Sequence, residues 1–190
     1  MRKLKLQVQI TVDGYMAGPN GEMDFMTWNW DEALKEYVKG LTDPVDTIVL
    51  GRKLAEGFIP YWASVASQKG NEEQDAGKKF TDTPKVVFTK TLTESHWSNT
   101  TLATGELKTE IEKLKNSAGN DIIAYGGSAF VSSLLEQELV DDIHFFVNPV
   151  VIGNGLPVFK KEAQKQNLQL VQAKAFECGV VVLHYRPKKD

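Results

Sequence analysis

Three short apolar runs recur along the chain: Thr47-Ile-Val-Leu-Gly51, Lys85-Val-Val-Phe-Thr89 and Asp121-Ile-Ile-Ala-Tyr125. Runs of this length, rich in Val, Ile and Leu and lacking polar alternation, are the pattern of strands buried on both faces. Helical spacing follows the first from Arg52 or Lys53, and follows the third over Ser128–Gln137. Between the second and third, Gly105–Asn116 carries Leu107, Ile111 and Leu114 on one face of a predicted helix. A chain that alternates buried strands with helices has few packing solutions, and a parallel sheet covered by helices is the main one.

The ends of the chain fit around that centre. Leu4, Leu6, Val8 and Ile10 alternate with Lys5, Gln7 and Gln9, which predicts a strand. The turn-rich stretch DGYMAGPNG follows, then a short helix with Asp31 as N-cap, Ala33, Leu34, Tyr37 and Val38 at helical spacing, and Gly40 as its stop. The polar stretch from Ser67 to Pro84 reads as a partly helical surface excursion. Segments 141–153, 168–178 and 180–187 are strands with little room for helices between them, and Phe176–Val180 is a hairpin turn. The expectation is one α/β domain over residues 1–190, a mostly parallel central sheet with antiparallel C-terminal strands.

Composition narrows the function. The 190 residues are 42% hydrophobic and 25% charged, with a net charge of -3, which disfavours a nucleic-acid binder driven by phosphate neutralisation. One cysteine, Cys178, leaves no intrachain disulfide and no cysteine-based metal site. The N-terminal pattern is neither a signal-peptide core nor a membrane span, so a cytoplasmic protein without membrane or metal is expected.

The carboxyl ends of the three buried strands carry Gly51-Arg52-Lys53, Thr89-Lys90-Thr91 and Gly126-Gly127-Ser128. Ligands of open α/β sheets bind outside those ends. The glycine pair has two readings: a tight strand-to-helix turn, or room for a phosphate to reach the amides of a helix N-terminus. Three donor-rich ends on an otherwise slightly acidic chain favour a phosphate-bearing ligand. Neither G-x-G-x-x-G nor the P-loop pattern is present, so a standard Rossmann site and a nucleoside triphosphatase are not indicated.

In this order the motifs ITVDGYMAGPNGEMDF, IVLGRK with YW, KVVFTKTL and IIAYGGSAFVSSLLEQELVDDIHFFVNPVVIGNGLPVF resemble the dihydrofolate-reductase-like family. They are most similar to the reductase domain of the bifunctional riboflavin-biosynthesis deaminase-reductase and its stand-alone relatives. The resemblance implies a three-layer α/β/α fold, no deaminase half, a homodimer, and NADPH bound across the strand ends. Gly51, Arg52 and Lys53 would then hold the cofactor, with Thr89 and Lys90 towards its adenosine side. Arg52 and Lys90 would meet a 2′-phosphate, and Gly126, Gly127, Ser128 and Ala129 would cradle the pyrophosphate. The Gly-Gly bond is often cis in this fold. Ala17 and Gly18 would lie beside the nicotinamide. One departure stands out: Leu54 occupies the place of a usual Thr hydroxyl, and Ala55 that of a common aromatic.

The substrate side leaves alternatives open. Asp13 is either a turn former or a substrate ligand, and Asp31 (with Glu32 beside it) either a helix cap or the carboxylate that anchors a heterocycle. Trp28, Trp30, Tyr61 and Trp62 stack on a flat ligand or pack in the core or a dimer, and 148–155 forms a loop over the pocket. By resemblance the small-molecule substrate is a pteridine or a ribosylamino-pyrimidine. In the riboflavin pathway such a reductase converts a ribose imine to a ribitylamine. Dihydrofolate reduction, and nucleotide binding without turnover, are the rival readings.

Overall fold

The computed structural model describes residues 1–160 and 164–188. In chain order the elements are β1 (Leu4–Thr11), β2 (Tyr15–Ala17), α1 (Glu32–Thr42), β3 (Val45–Gly51), α2 (Arg52–Ser67) and α3 (Gln74–Asp82). They continue with β4 (Lys85–Phe88), β5 (Thr100–Ala103), α4 (Leu107–Asn116), β6 (Asp121–Ala124) and α5 (Ser128–Glu136). The last four are β7 (Asp142–Asn148), β8 (Leu156–Pro157), β9 (Leu168–Ala175) and β10 (Val181–Pro187).

Eight strands form one sheet in the order β5-β4-β3-β6-β1-β7-β10-β9. From β5 to β7 every neighbouring pair is parallel, and β10 is antiparallel to both β7 and β9. The short β2 and β8 pair separately as an antiparallel ribbon.

Alternate residues of each strand feed two cores. Leu4, Leu6, Val8 and Ile10 of β1 meet Ile111 of α4 and Val131 and Leu134 of α5 on one face. Ile48 and Leu50 of β3, Ile123 of β6 and Phe146 of β7 meet Leu34 of α1 and Ala55 of α2 on the other. The result is helices on both faces of a mostly parallel sheet.

The polar residues of β1 are therefore not a solvent face. Lys5 pairs with Asp121 at 2.9 Å and donates to the Leu41 carbonyl at 3.2 Å, which satisfies a charge under α1. Gln7 is buried and in register with His144. His144 stacks on His184 at 4.0 Å and bonds the Tyr37 hydroxyl at 2.8 Å, and His184 bonds Asp142 at 2.7 Å. Burial holds His144 neutral, with its pKa pushed down to about 3.

Two local expectations change. Gly40 does not stop α1, which runs on to Thr42 because Leu41 and Thr42 are buried and extend its inner face. Strand β5 was not anticipated: Thr100-Thr-Leu-Ala103 carries little apolar signal and pairs only with β4.

Candidate functional site

Strand β6 lies between β3 and β1 and ends early. Its last pairings set Ala124 against Leu6 and Val49, while β1 continues through Gln7–Thr11 and β3 through Leu50 and Gly51. The crevice at this end of the sheet is the notch that β6 leaves between the longer β1 and β3, with the glycine pair at its floor. The Gly126-Gly127 peptide is cis, and the Gly51 amide donates to the Gly126 carbonyl at 2.9 Å.

Two helices begin there, one towards each face. Gly51 caps α2 and Gly127 caps α5, neither with a side-chain hydrogen bond, and neither first turn holds an acidic residue. Helices α1 and α4, by contrast, are capped by the carboxylates of Asp31 and Glu106. The first-turn amides of α2 and α5 are thus left for an outside acceptor, and both helix dipoles favour an anion.

Two of the three glycines are required by the fold, each for a different reason. A Cβ on Gly51 would lie 2.8 Å from the Phe130 Cβ, so β3 and α5 approach too closely for a side chain. Gly126 has φ +153°, a conformation side chains avoid. Gly127 has φ -66°, and a Cβ there would meet nothing closer than Leu54 at 3.9 Å. Nothing in the protein's own packing demands a glycine at 127.

Around this floor, Arg52, Lys53, Ser128 and Ala129 occupy the first turns of the two helices. Arg52 is ion-paired with Glu56 one turn on, and Lys53 is exposed. Thr89 and Lys90 follow β4, one strand further out. Thr89 Oγ1 accepts from the Thr91 and Leu92 amides, each at 3.1 Å, and Lys90 Nζ donates to the Thr104 and Gly105 carbonyls at 2.9 and 2.6 Å. Thr89 is thus bound into its own turn, and Lys90 ties that turn to the residues after β5.

On the far side of the crevice, Ala17 and Gly18 are buried where the β2–β8 ribbon closes; a Cβ on Gly155 would lie 2.3 Å from the Ala17 carbonyl. Asp13 accepts from the Gly153 amide at 2.8 Å and the Ile152 amide at 3.4 Å, tying the 149–155 loop to the end of β1. Hydrogen bonding to Thr11 and to those amides lowers its pKa. Asp31 accepts from Cys178 N at 2.9 Å with one oxygen and Leu34 N at 2.8 Å with the other. Those bonds, the Cys178 amide first, lower its pKa too. Both carboxylates are therefore held ionised and already engaged, the opposite of a proton donor's environment.

Trp30 stacks on Phe146, and Tyr61 and Trp62 belong to an aromatic cluster with Phe58 and Phe80; Trp28 is exposed. In the sequence, Gln9 reads as a polar strand residue and Asn148 as the start of the 148–155 loop. Asn148 instead ends β7, and the two sit in adjacent strands at the crevice and share a 2.9 Å hydrogen bond. Only strand register brings them together, so no local motif marks them. A hollow of about 470 Å³ lined by Lys5, Tyr37, Asp142, His144 and Arg186 opens at the opposite ends of the strands, away from the glycines. Among the described residues no three His, Cys, Asp or Glu side chains are grouped to hold a metal ion, and no helix is long and apolar enough to cross a membrane.

The model of the RibD C-terminal domain matches residues 2–182. The chain belongs to the RibD C-terminal domain family. It is 29% identical over 184 residues to the uncharacterised protein YyaP of Bacillus subtilis, covering 97% of this chain and 94% of that one. Its fold is that of the bifunctional diaminohydroxyphosphoribosylaminopyrimidine deaminase/5-amino-6-(5-phosphoribosylamino)uracil reductase of Thermotoga maritima. That likeness has a TM-score of 0.69 at 18% identity and covers 98% of this chain and 57% of that one. It is also that of the Enterococcus faecalis dihydrofolate reductase complexed with NADP(H), with a TM-score of 0.61 at 13% identity, covering 98% and 97%. The RibD C-terminal domain and dihydrofolate reductase thus share this three-layer frame.

Proposed function

We propose that this protein is an NADPH-dependent reductase of a small heterocycle of the 5-amino-6-(5-phosphoribosylamino)uracil kind, acting as a homodimer. The observation that carries the reading is the pair of helix starts at Gly51 and Gly127. They adjoin, lack side-chain caps and first-turn acids, and leave space above Gly127 that packing does not claim. A pyrophosphate fits this donor set, and family membership supports a reductase. Arg52, once exchanged from Glu56, supplies a bidentate fork for a 2′-phosphate, and Lys90, once released from the Thr104 and Gly105 carbonyls, a point charge. When bound, the nicotinamide supplies the hydride, and the protein orients it against the substrate. The ribbon around Ala17 and Gly18 and the clasp through Asp13 shield that contact from water.

The test is calorimetric titration of the protein with NADPH and NADH. NADPH binds the more tightly, by about 1–3 kcal/mol, the scale of hydrogen bonds to a charged group. Gly127→Ala weakens NADPH binding well beyond any change in apo melting temperature, because its φ and surroundings tolerate a methyl group. Equal affinity for the two cofactors, or normal NADPH binding by Gly127→Ala, contradicts the assignment.

A further inference from the structure

At the crevice a chain of hydrogen bonds fixes the orientation of one side-chain amide. The backbone amide of Thr27 can only donate, and it meets Asn148 Oδ1 at 2.9 Å. Asn148 Nδ2 must therefore face the other way, where the Phe146 and Ile10 carbonyls accept at 3.2 and 3.3 Å. One N–H of the same Nδ2 donates to Gln9 Oε1 at 2.9 Å, and the other is shared between the two carbonyls. Asn148 is fully buried, so this assignment follows from backbone groups whose roles are not in question.

The consequence is that Gln9 turns its carbonyl oxygen to Asn148 and its amide nitrogen away from it. Gln9 Nε2 has no protein partner among the described residues, and it is not sealed from solvent. Gln9 lies in the part of β1 that runs past the end of β6, in register with Phe146, on whose ring Trp30 stacks. It is thus a half-buried, pre-oriented N–H donor on the α1–α2 side of the crevice.

We propose that Gln9 selects the substrate, donating from Nε2 to a ring oxygen of a flat heterocycle. This deepens the reductase reading and rests on it for the location of the crevice. The 2-amino and N3–H edge of a pteridine places two donors side by side and is best met by a carboxylate with both oxygens open. The two that sequence reasoning placed here, Asp13 and Asp31, already accept backbone amides with both oxygens. A uracil ring presents two carbonyl oxygens where a pterin presents one beside an amino group, and such an oxygen meets a donor held in place by Asn148 and, through it, by the Thr27 loop. The preference therefore runs to uracil-type rings, because an unpaired buried polar group is what a site rejects most strongly.

Calorimetric binding decides the matter without turnover. The probes are 5-amino-6-(5-phosphoribosylamino)uracil and dihydrofolate, titrated into the native protein, Gln9→Leu and Gln9→Glu, with NADPH affinity and melting temperature measured on the same preparations. The native protein binds the uracil compound more tightly than dihydrofolate. Gln9→Leu weakens uracil binding about tenfold, and the near-isosteric Gln9→Glu weakens it at least as much by turning a donor into an acceptor. NADPH affinity stays within about twofold in both, as expected for a group that touches substrate alone. Unchanged uracil affinity in Gln9→Leu, tighter binding in Gln9→Glu, or a native preference for dihydrofolate overturns the proposal. Failure of the native protein to bind NADPH overturns the reductase reading instead, while the response of uracil affinity to Gln9 still decides the role of that residue.

Discussion

Leu54 shows how one side chain can set both stability and affinity at the crevice. It is the third residue of α2, and its Cδ2 lies 3.1 Å from the point a Cβ on Gly126 would occupy. A hydroxyl in this place would face the same ligand as the amides of α2 and α5. The half-buried leucine instead packs against the core around α1 and α2. Leu54→Thr therefore has effects of opposite sign. NADPH binding tightens by about 0.5–1.5 kcal/mol, one net hydrogen bond. The apo protein loses about 1 kcal/mol from the removed apolar contact. Titration beside thermal unfolding reads both, and a variant that binds NADPH no better would show that the backbone amides already satisfy the phosphate. The neighbouring carboxylates were only half legible. Asp31 as an N-cap could be read from its place before an apolar-periodic run, but its second bond to Cys178 joins residues far apart in sequence.

At the scale of elements, the strand-helix order was legible because burial on both faces leaves a signature no surface segment shares. What was not legible depends on partners distant in sequence. Lys85 opens a buried strand with a cation, and nothing local explains it. In the fold, its ammonium is buried and donates to the carbonyls of Phe80, Thr81 and Thr83 at 2.8, 2.9 and 2.6 Å. It thereby closes the C-terminal end of α3, where carbonyls would otherwise lack partners. Burial lowers its pKa, yet the three acceptors make the charge tolerable. Lys85→Met keeps the aliphatic stem and removes every donor. It should destabilise the protein by about 2–4 kcal/mol, the cost of leaving such groups unpaired, and loosen α3 first in hydrogen exchange. A melting temperature within a degree of the native value would show that water replaces the ammonium at no cost. Strand β5 escaped the sequence reading for the same reason: four residues with two threonines become a strand only because β4 offers an edge.

At the scale of the whole molecule, the sheet ends in an unfinished edge. Strand β9 is exposed from Gln169 to Ala175, although an eight-residue strand with free backbone groups is a template for pairing. Its register sets Leu168 and Leu170 beside Pro187 and Tyr185, and Ala173 and Ala175 beside Leu183 and Val181. Leu183 and Tyr185 pack against the core on the α4–α5 face, so Leu168, Leu170, Ala173 and Ala175 prolong that face outward. Leu170 is 52% exposed and Phe159, which meets Phe145 edge-on, is 43% exposed. A contiguous apolar sheet face left open in this way fits the proposed homodimer, in which a second copy of the chain would cover it by two-fold symmetry. The composition could not show this, since the same leucine and alanines would read identically in a covered strand. Sedimentation at micromolar concentration should give a dimer. Leu170→Lys should weaken it at least tenfold while leaving the melting temperature of the monomer nearly unchanged, because a side chain half in water contributes little to the fold itself. A native protein that sediments as a monomer at that concentration, or a Leu170→Lys dimer as tight as the native one, would remove β9 as the interface.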